Sequence, residues 1–126
     1  MLKEKRRGGY ESNCSSGLMV VRITGEIDHH SAVEMRSGID AEIFERRPEK
    51  LILDLSGVDF MDSSGLGLIL GRLATMRKVG GELVLLNPND GVLKILKLAG
   101  AERILKIEKV EINTEKDRKR GVRNGK

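Results

Sequence analysis

At 126 residues the chain has the length of one domain, enough to bury a single core and too short for two. Aromatic residues make up 2% of it and Trp is absent, so the core is aliphatic and the stacking platforms of single-stranded nucleic-acid binding are missing. Cys14 is the only cysteine, which excludes an intramolecular disulfide and a thiolate metal cluster.

The net charge of +4 sits at the two ends. Lys3, Lys5, Arg6 and Arg7 outweigh Glu4 by three; Lys116, Arg118, Lys119, Arg120, Arg123 and Lys126 outweigh Glu115 and Asp117 by four. The body between them is left at −3. The expected organisation is a basic flexible extension over 1–9, a folded body over 10–112 and a basic flexible tail over 113–126. The start, MLKEKRRGGYESNCSSG, is positive but has no apolar stretch behind it, so no secretory leader is expected. No run approaches the ~18 apolar residues of a membrane span. The expected setting is cytoplasmic and reducing, with neither membrane nor direct nucleic acid as partner.

In chain order, a weak strand near Tyr10 to Cys14 pairs as a hairpin, across Ser15-Ser16-Gly17, with the β-branched run Leu18 to Thr24. From His29 to about Glu45, Ala32, Met35, Ile39 and Ile43 recur at helical spacing, with Asp28 as N-cap and Pro48 as the stop. Leu51 to Leu55 is a compact apolar run suited to a buried parallel strand. A second helix spans about Ser63 to Val79 and ends at Gly80-Gly81. Glu82 to Leu86 is a strand, Asn87-Pro88-Asn89-Asp90 a turn and helix start, and Val92, Ile95, Leu96 and Ala99 mark a third helix closed by Gly100. Arg103 to Ile107 is the last strand expected. The alternation predicts an α/β domain: a small single domain with a mixed, largely parallel sheet, packed helices and an N-terminal strand hairpin.

The chemistry concentrates in Val58-Asp59-Phe60-Met61-Asp62-Ser63-Ser64-Gly65-Leu66-Gly67, where a buried strand gives way to a helix. In open α/β sheets reactive groups gather at that edge. A helix start favours an anion, and a phosphate on Ser63 would add about −1.5 to −2 charges and three acceptor oxygens there. Backbone donors would absorb much of that charge, while Asp59 and Asp62 would push the group outward. The same residues also serve as an ordinary N-cap, Asp62 or Ser63 being the cap and the glycines permitting close packing. On the helix that follows, Leu66, Ile69, Leu70 and Leu73 share the face expected on the sheet. Ser64, Leu68, Gly71, Arg72 and Thr75 fall opposite, so Leu68 is expected to point outward in a docking stripe.

Taken together, Thr24-Gly25-Glu26-Ile27-Asp28-His29-His30, Phe60-Met61-Asp62-Ser63-Ser64-Gly65-Leu66-Gly67, Leu70-Gly71-Arg72 and Gly80-Gly81-Glu82-Leu83 resemble the bacterial anti-sigma factor antagonists of the STAS domain family, above all its sporulation, sigma-F-pathway branch. The resemblance runs from about Leu18 to Ile107. It implies a small α/β fold and a chain that is a substrate of a serine kinase doubling as anti-sigma factor. The unphosphorylated form would bind that kinase and free the sigma factor, phosphorylation would end the binding, and a metal-dependent serine phosphatase would restore it. The acceptor implied is Ser63, with Ser64 a weaker candidate. Asp28, His29, Asp62, Ser64, Gly65, Leu68 and Arg72 are the expected partner-binding residues. His29 and His30 otherwise read as first-turn helix residues. The basic ends depart from the family pattern, and after Ile112 the expected closing helix gives way to a charged stretch.

No enzyme is expected. A hydrolase triad lacks its Gly-x-Ser-x-Gly elbow, because Asp62 precedes the serine and Met61 takes the first glycine position. A nucleotide-binding switch lacks the Gly-x-x-x-x-Gly-Lys pattern and would bind weakly. The remaining alternative is a STAS module of a general stress or lipid-transport pathway. No cofactor or metal is implied.

Overall fold

A computed structural model describes residues 6–111 of the chain; the first five residues and the expected basic tail lie outside the described residues. The elements run β1 (Gly9–Ser15), β2 (Leu18–Ile27), α1 (His29–Arg46), β3 (Lys50–Met61), α2 (Ser63–Lys78), β4 (Glu82–Leu86), α3 (Asp90–Leu98), a 3-10 turn (Ala101–Arg103) and β5 (Lys106–Glu108). The five strands lie in sequence order, β1 antiparallel to β2 and every later pair parallel. This is the mixed, largely parallel sheet that the alternation of elements predicts.

The hairpin turns at Ser16 and Gly17, whose φ values of 52° and 82° are both positive, as a two-residue type I′ turn requires. Strand parity then builds the core. Met19, Val21 and Ile23 of β2, Leu51, Leu53 and Leu55 of β3, and Leu83 and Leu85 of β4 are buried on one face. Against them pack Met35, Ile39 and Ile43 of α1, Ile69, Leu73 and Met76 of α2, and Val92 and Leu96 of α3. On the other face, paired positions place Arg22 beside Asp54 and Lys50 beside Glu82, opposite charges side by side.

Three expectations are corrected. β2 does not stop at Thr24: it runs to Ile27 through two register shifts, with Gly25 inside it at φ +87°. β3 extends to Met61, beyond the apolar run, because Gly57 through Met61 keep pairing with β2 after β4 has ended. The last strand begins at Lys106, since Ala101–Arg103 form a 3-10 turn first.

Residues 6–9 are not a flexible extension. Gly9 already pairs with Thr24 in β1, and Arg7 bridges Glu26. The Glu26 N–H donates to the Arg6 carbonyl at 3.0 Å. A Cβ on Gly25 would lie 2.5 Å from the Arg7 carbonyl oxygen, so only glycine lets this strap pass. The Arg6 guanidinium then reaches β3, donating to both Asp59 carboxylate oxygens at 3.0 and 3.1 Å and to the Gly57 carbonyl at 3.1 Å. Composition marks these residues as a solvated basic end. Backbone pairing makes them part of the sheet edge.

Candidate functional site

Parallel strands point all their C-terminal ends one way, so the helices that follow start along one edge. Ile27 pairs with Met61, the last residues of β2 and β3, which sets Asp28 and Asp62 side by side as caps of α1 and α2. The Asp62 N–H donates to the Ile27 carbonyl at 3.3 Å. α3 joins them through its cap Asn89, whose Oδ1 accepts from the Val92 N–H at 2.8 Å while Nδ2 donates to the Val58 carbonyl at 3.0 Å. Three helix N-termini, each the positive end of a macrodipole, therefore converge on the end of β3.

Ser63 is the first residue of α2 and is exposed. Asp62 is the cap: its Oδ1 accepts from the Ser64 N–H at 2.8 Å, and its carbonyl accepts from the N–H groups of Gly65 at 2.9 Å and Leu66 at 3.4 Å. The first-turn donors expected to absorb a phosphate's charge are thus already occupied. Of the first-turn donors of α2, the Ser63 N–H alone has no acceptor among the described residues.

At α1 the cap is reciprocal. Asp28 Oδ1 accepts from the Ser31 N–H at 2.9 Å, and Ser31 Oγ accepts from the Asp28 N–H at 3.1 Å. The Ser31 N–H, then its hydroxyl, hold the Asp28 carboxyl below its ordinary value. His29 and Ser64 rim a groove of about 210 Å³ between α1 and α2, floored by Ala32, Val33 and Leu68. A second cavity, of about 380 Å³, lies on the strap side, walled by Arg6, Arg7, Asp28, Phe60 and Asp62.

Of the expected partner-binding residues, Asp28, His29, Asp62 and Ser64 share this edge at least partly exposed, and three do not belong to the surface. Gly65 is buried, and a Cβ there would stand 2.6 Å from Met61 Cβ; its role is to seat the first turn of α2 on the end of β3. Leu68 and Arg72 are each 3% exposed, so Leu68 is no outward docking residue. The face that carries Leu68 and Arg72 is a lateral one, turned to α1, which packs beside α2 on the same side of the sheet. Arg72 Nε lies 3.1 Å from Asp40 Oδ1 of α1. These atoms are close but misaligned, and Nε, Nη1 and Oδ1 are buried without a hydrogen bond among the described residues. Burial lowers the Arg72 guanidinium from its ordinary value, Asp40 opposing and Arg36 reinforcing the shift.

Sequence reasoning missed Arg6, Arg7 and Asn89 as parts of this edge. Phe60, already in the motif, is 56% exposed here. Among the described residues no group of three or more His, Cys, Asp or Glu side chains is placed to hold a metal, and no helix is long and apolar enough to cross a membrane.

An exposed serine thus opens the helix that follows a central parallel strand, with two neighbouring helix starts beside it. The chain belongs to the STAS domain family, whose model matches residues 10–113. It is 39% identical over 97 residues to the anti-sigma F factor antagonist of Paenibacillus polymyxa, covering 77% of this chain and 83% of that one. Its fold matches the anti-sigma factor antagonist SpoIIAA in its unphosphorylated form with a TM-score of 0.73 and 32% identity, over 90% of this chain and 97% of that one. The Bacillus cell fate determinant SpoIIAA in its phosphorylated form matches with a TM-score of 0.67 and 29% identity, over 90% and 99%. These relatives are regulatory proteins, and this chain is not an enzyme.

Proposed function

We propose that this chain is an anti-sigma factor antagonist of the sporulation type, working in the cytoplasm and switched at Ser63. In its unphosphorylated form it binds a serine kinase that is also the anti-sigma factor, which frees the sigma factor. The kinase transfers a phosphoryl group from ATP to Ser63 Oγ: the terminal phosphoanhydride bond breaks, the Oγ–P bond forms and the hydroxyl proton leaves. The product lets go of the kinase until a metal-dependent serine phosphatase hydrolyses the ester.

The observation that carries this reading is the placement of Ser63, exposed at the first position of α2 directly after its cap. Asp28, His29, Asp62 and Ser64 make the surrounding contact surface. Burial withdraws Leu68, Arg72 and Gly65 from it. A hydroxyl here can be covered by a partner at little cost. A dianion beside Asp28 and Asp62 would have to be desolvated among like charges, which weakens binding by about 2–5 kcal/mol.

The test is incubation with the kinase and ATP followed by mass spectrometry. Ser63 is expected to gain one phosphoryl group, Ser63→Ala to gain none yet bind the kinase as before, and Ser63→Asp to fold but bind at least tenfold more weakly. Modification elsewhere in the chain, or full-strength binding by Ser63→Asp, would overturn the reading.

A further inference from the structure

The role just proposed leaves two guanidinium groups unexplained. Arg6 and Arg7 face a cavity that also takes in Asp28 and Asp62, the caps of α1 and α2; Asp62 immediately precedes the candidate phosphoserine, which stands outside the lining. Arg7 bridges Glu26, which pairs with Phe60. Two strand spacings, about 10 Å, therefore separate Arg7 from Phe60, and Ser63 follows three residues on. Arg7 makes no ion pair or side-chain hydrogen bond among the described residues.

The sheet edge around position 63 carries carboxylates, Glu26, Asp28 and Asp62 on one cavity and Asp59 on β3, with His29 and His30 at the start of α1. The α2 backbone has one donor left for a phosphate there, the Ser63 N–H. A dianion in that setting needs cations. The strap supplies them, and its position does not depend on the Arg6 side chain: the Glu26 N–H holds the Arg6 carbonyl and Gly25 makes room for the Arg7 backbone. The Arg6–Asp59 pair is itself exposed, 58% and 52% for the two side chains, a class of contact that is readily exchanged. Phosphate, like carboxylate, accepts the guanidinium fork, and it brings about −1.5 to −2 charges and three acceptor oxygens to it.

We propose that Arg6 and Arg7 are the intramolecular ligands of a phosphoryl group on Ser63, Arg6 leaving Asp59 to reach it. The inference rests on Ser63 being the modified residue. Phosphorylation then rearranges charge as well as adding it, since the phosphate is clamped and the Asp59 carboxylate is released toward the partner.

The experiment uses the full chain with phosphoserine placed at position 63 during translation, so that no kinase is needed. ³¹P NMR titration of the wild type is compared with Arg6→Gln/Arg7→Gln and with Lys106→Gln, which removes a charge from β5. The phosphate of the wild type is expected to titrate at least about half a pH unit below that of the double variant, with Lys106→Gln like the wild type. The Arg6 Nε–H resonance is expected to move with the same midpoint. Superimposed titrations of wild type and double variant, or an Arg6 resonance unchanged by phosphorylation, would overturn the proposal. Failure of the kinase to modify Ser63 would remove the regulatory reading without altering this titration, so the two failures are told apart.

Discussion

Two arginine–aspartate pairs stand in this molecule and differ in almost everything but their chemistry. Arg72 and Asp40 meet in the seam between α1 and α2, where the arginine is 3% exposed and its Nε and Nη1 are left without hydrogen bonds among the described residues. Arg6 and Asp59 meet at the sheet edge, more than half exposed, in a two-pronged hydrogen-bonded fork. The better-formed pair is the less committed one. Water can replace either partner of the exposed fork, whereas nothing replaces Asp40 for a guanidinium that has lost its hydration. The buried pair fixes how the helices lie together, and the exposed one is free to change partners.

The largest expected effect breaks the first pair from one side. Arg72→Ala leaves Asp40 without its cation and opens a hole between the helices, and is expected to lower unfolding stability by about 2–4 kcal/mol in urea denaturation. Arg72→Met with Asp40→Leu sharpens the contrast: filling the seam with apolar side chains is expected to recover most of that loss, since misaligned buried charges contribute little net stability. Asp59→Asn, which breaks the exposed pair, is expected to cost under about 1 kcal/mol, and 1 M salt should erase even that difference. A loss from Asp59→Asn equal to that from Arg72→Ala would contradict the distinction.

The smallest expected effect concerns a carboxylate paired with no arginine. Asp28 is held below its ordinary value by the Ser31 N–H. Its contribution is fully present above the unfolded carboxylate value near ~3.9 and is lost as pH falls through the lowered folded value. Asp28→Asn should therefore lower stability slightly at neutral pH, where the carboxylate contributes, flatten the acid limb of the stability–pH profile below about pH 4, and leave the most acid end unchanged.

The same contrast explains what was legible in the sequence. Ala32, Met35, Ile39 and Ile43 sit on one face of α1 because that helix buries one stripe, and each is buried as the spacing predicts. α2 buries two faces, Ile69 and Leu73 in the core and Leu68 and Arg72 in the seam. A helical wheel separates those faces but cannot tell a helix neighbour from water, and an arginine argues for water. Ser63 and its cap were readable because an N-cap is written in adjacent residues. The Arg6 strap was not, because its partners Glu26 and Asp59 are distant in the chain, and Gly25, which admits it, looks like a strand end. Gly57 likewise looks like a turn, although it packs on Thr24 so closely that a Cβ would lie 2.8 Å from Thr24 Cγ2.

The overhang of β3 beyond β4 has a mechanical consequence. Past Asp54 the strand is paired on one side only, and Asn89 is its support from the α3 side. Ser63 therefore rides at the tip of an overhang anchored by Val58 and Met61 in the core, and the Asn89 amide is the prop on its β4 side. Loosening that prop would change how freely the tip moves without touching any residue of the contact surface. The stiffness with which the serine is presented is thus set one helix away from where it is used.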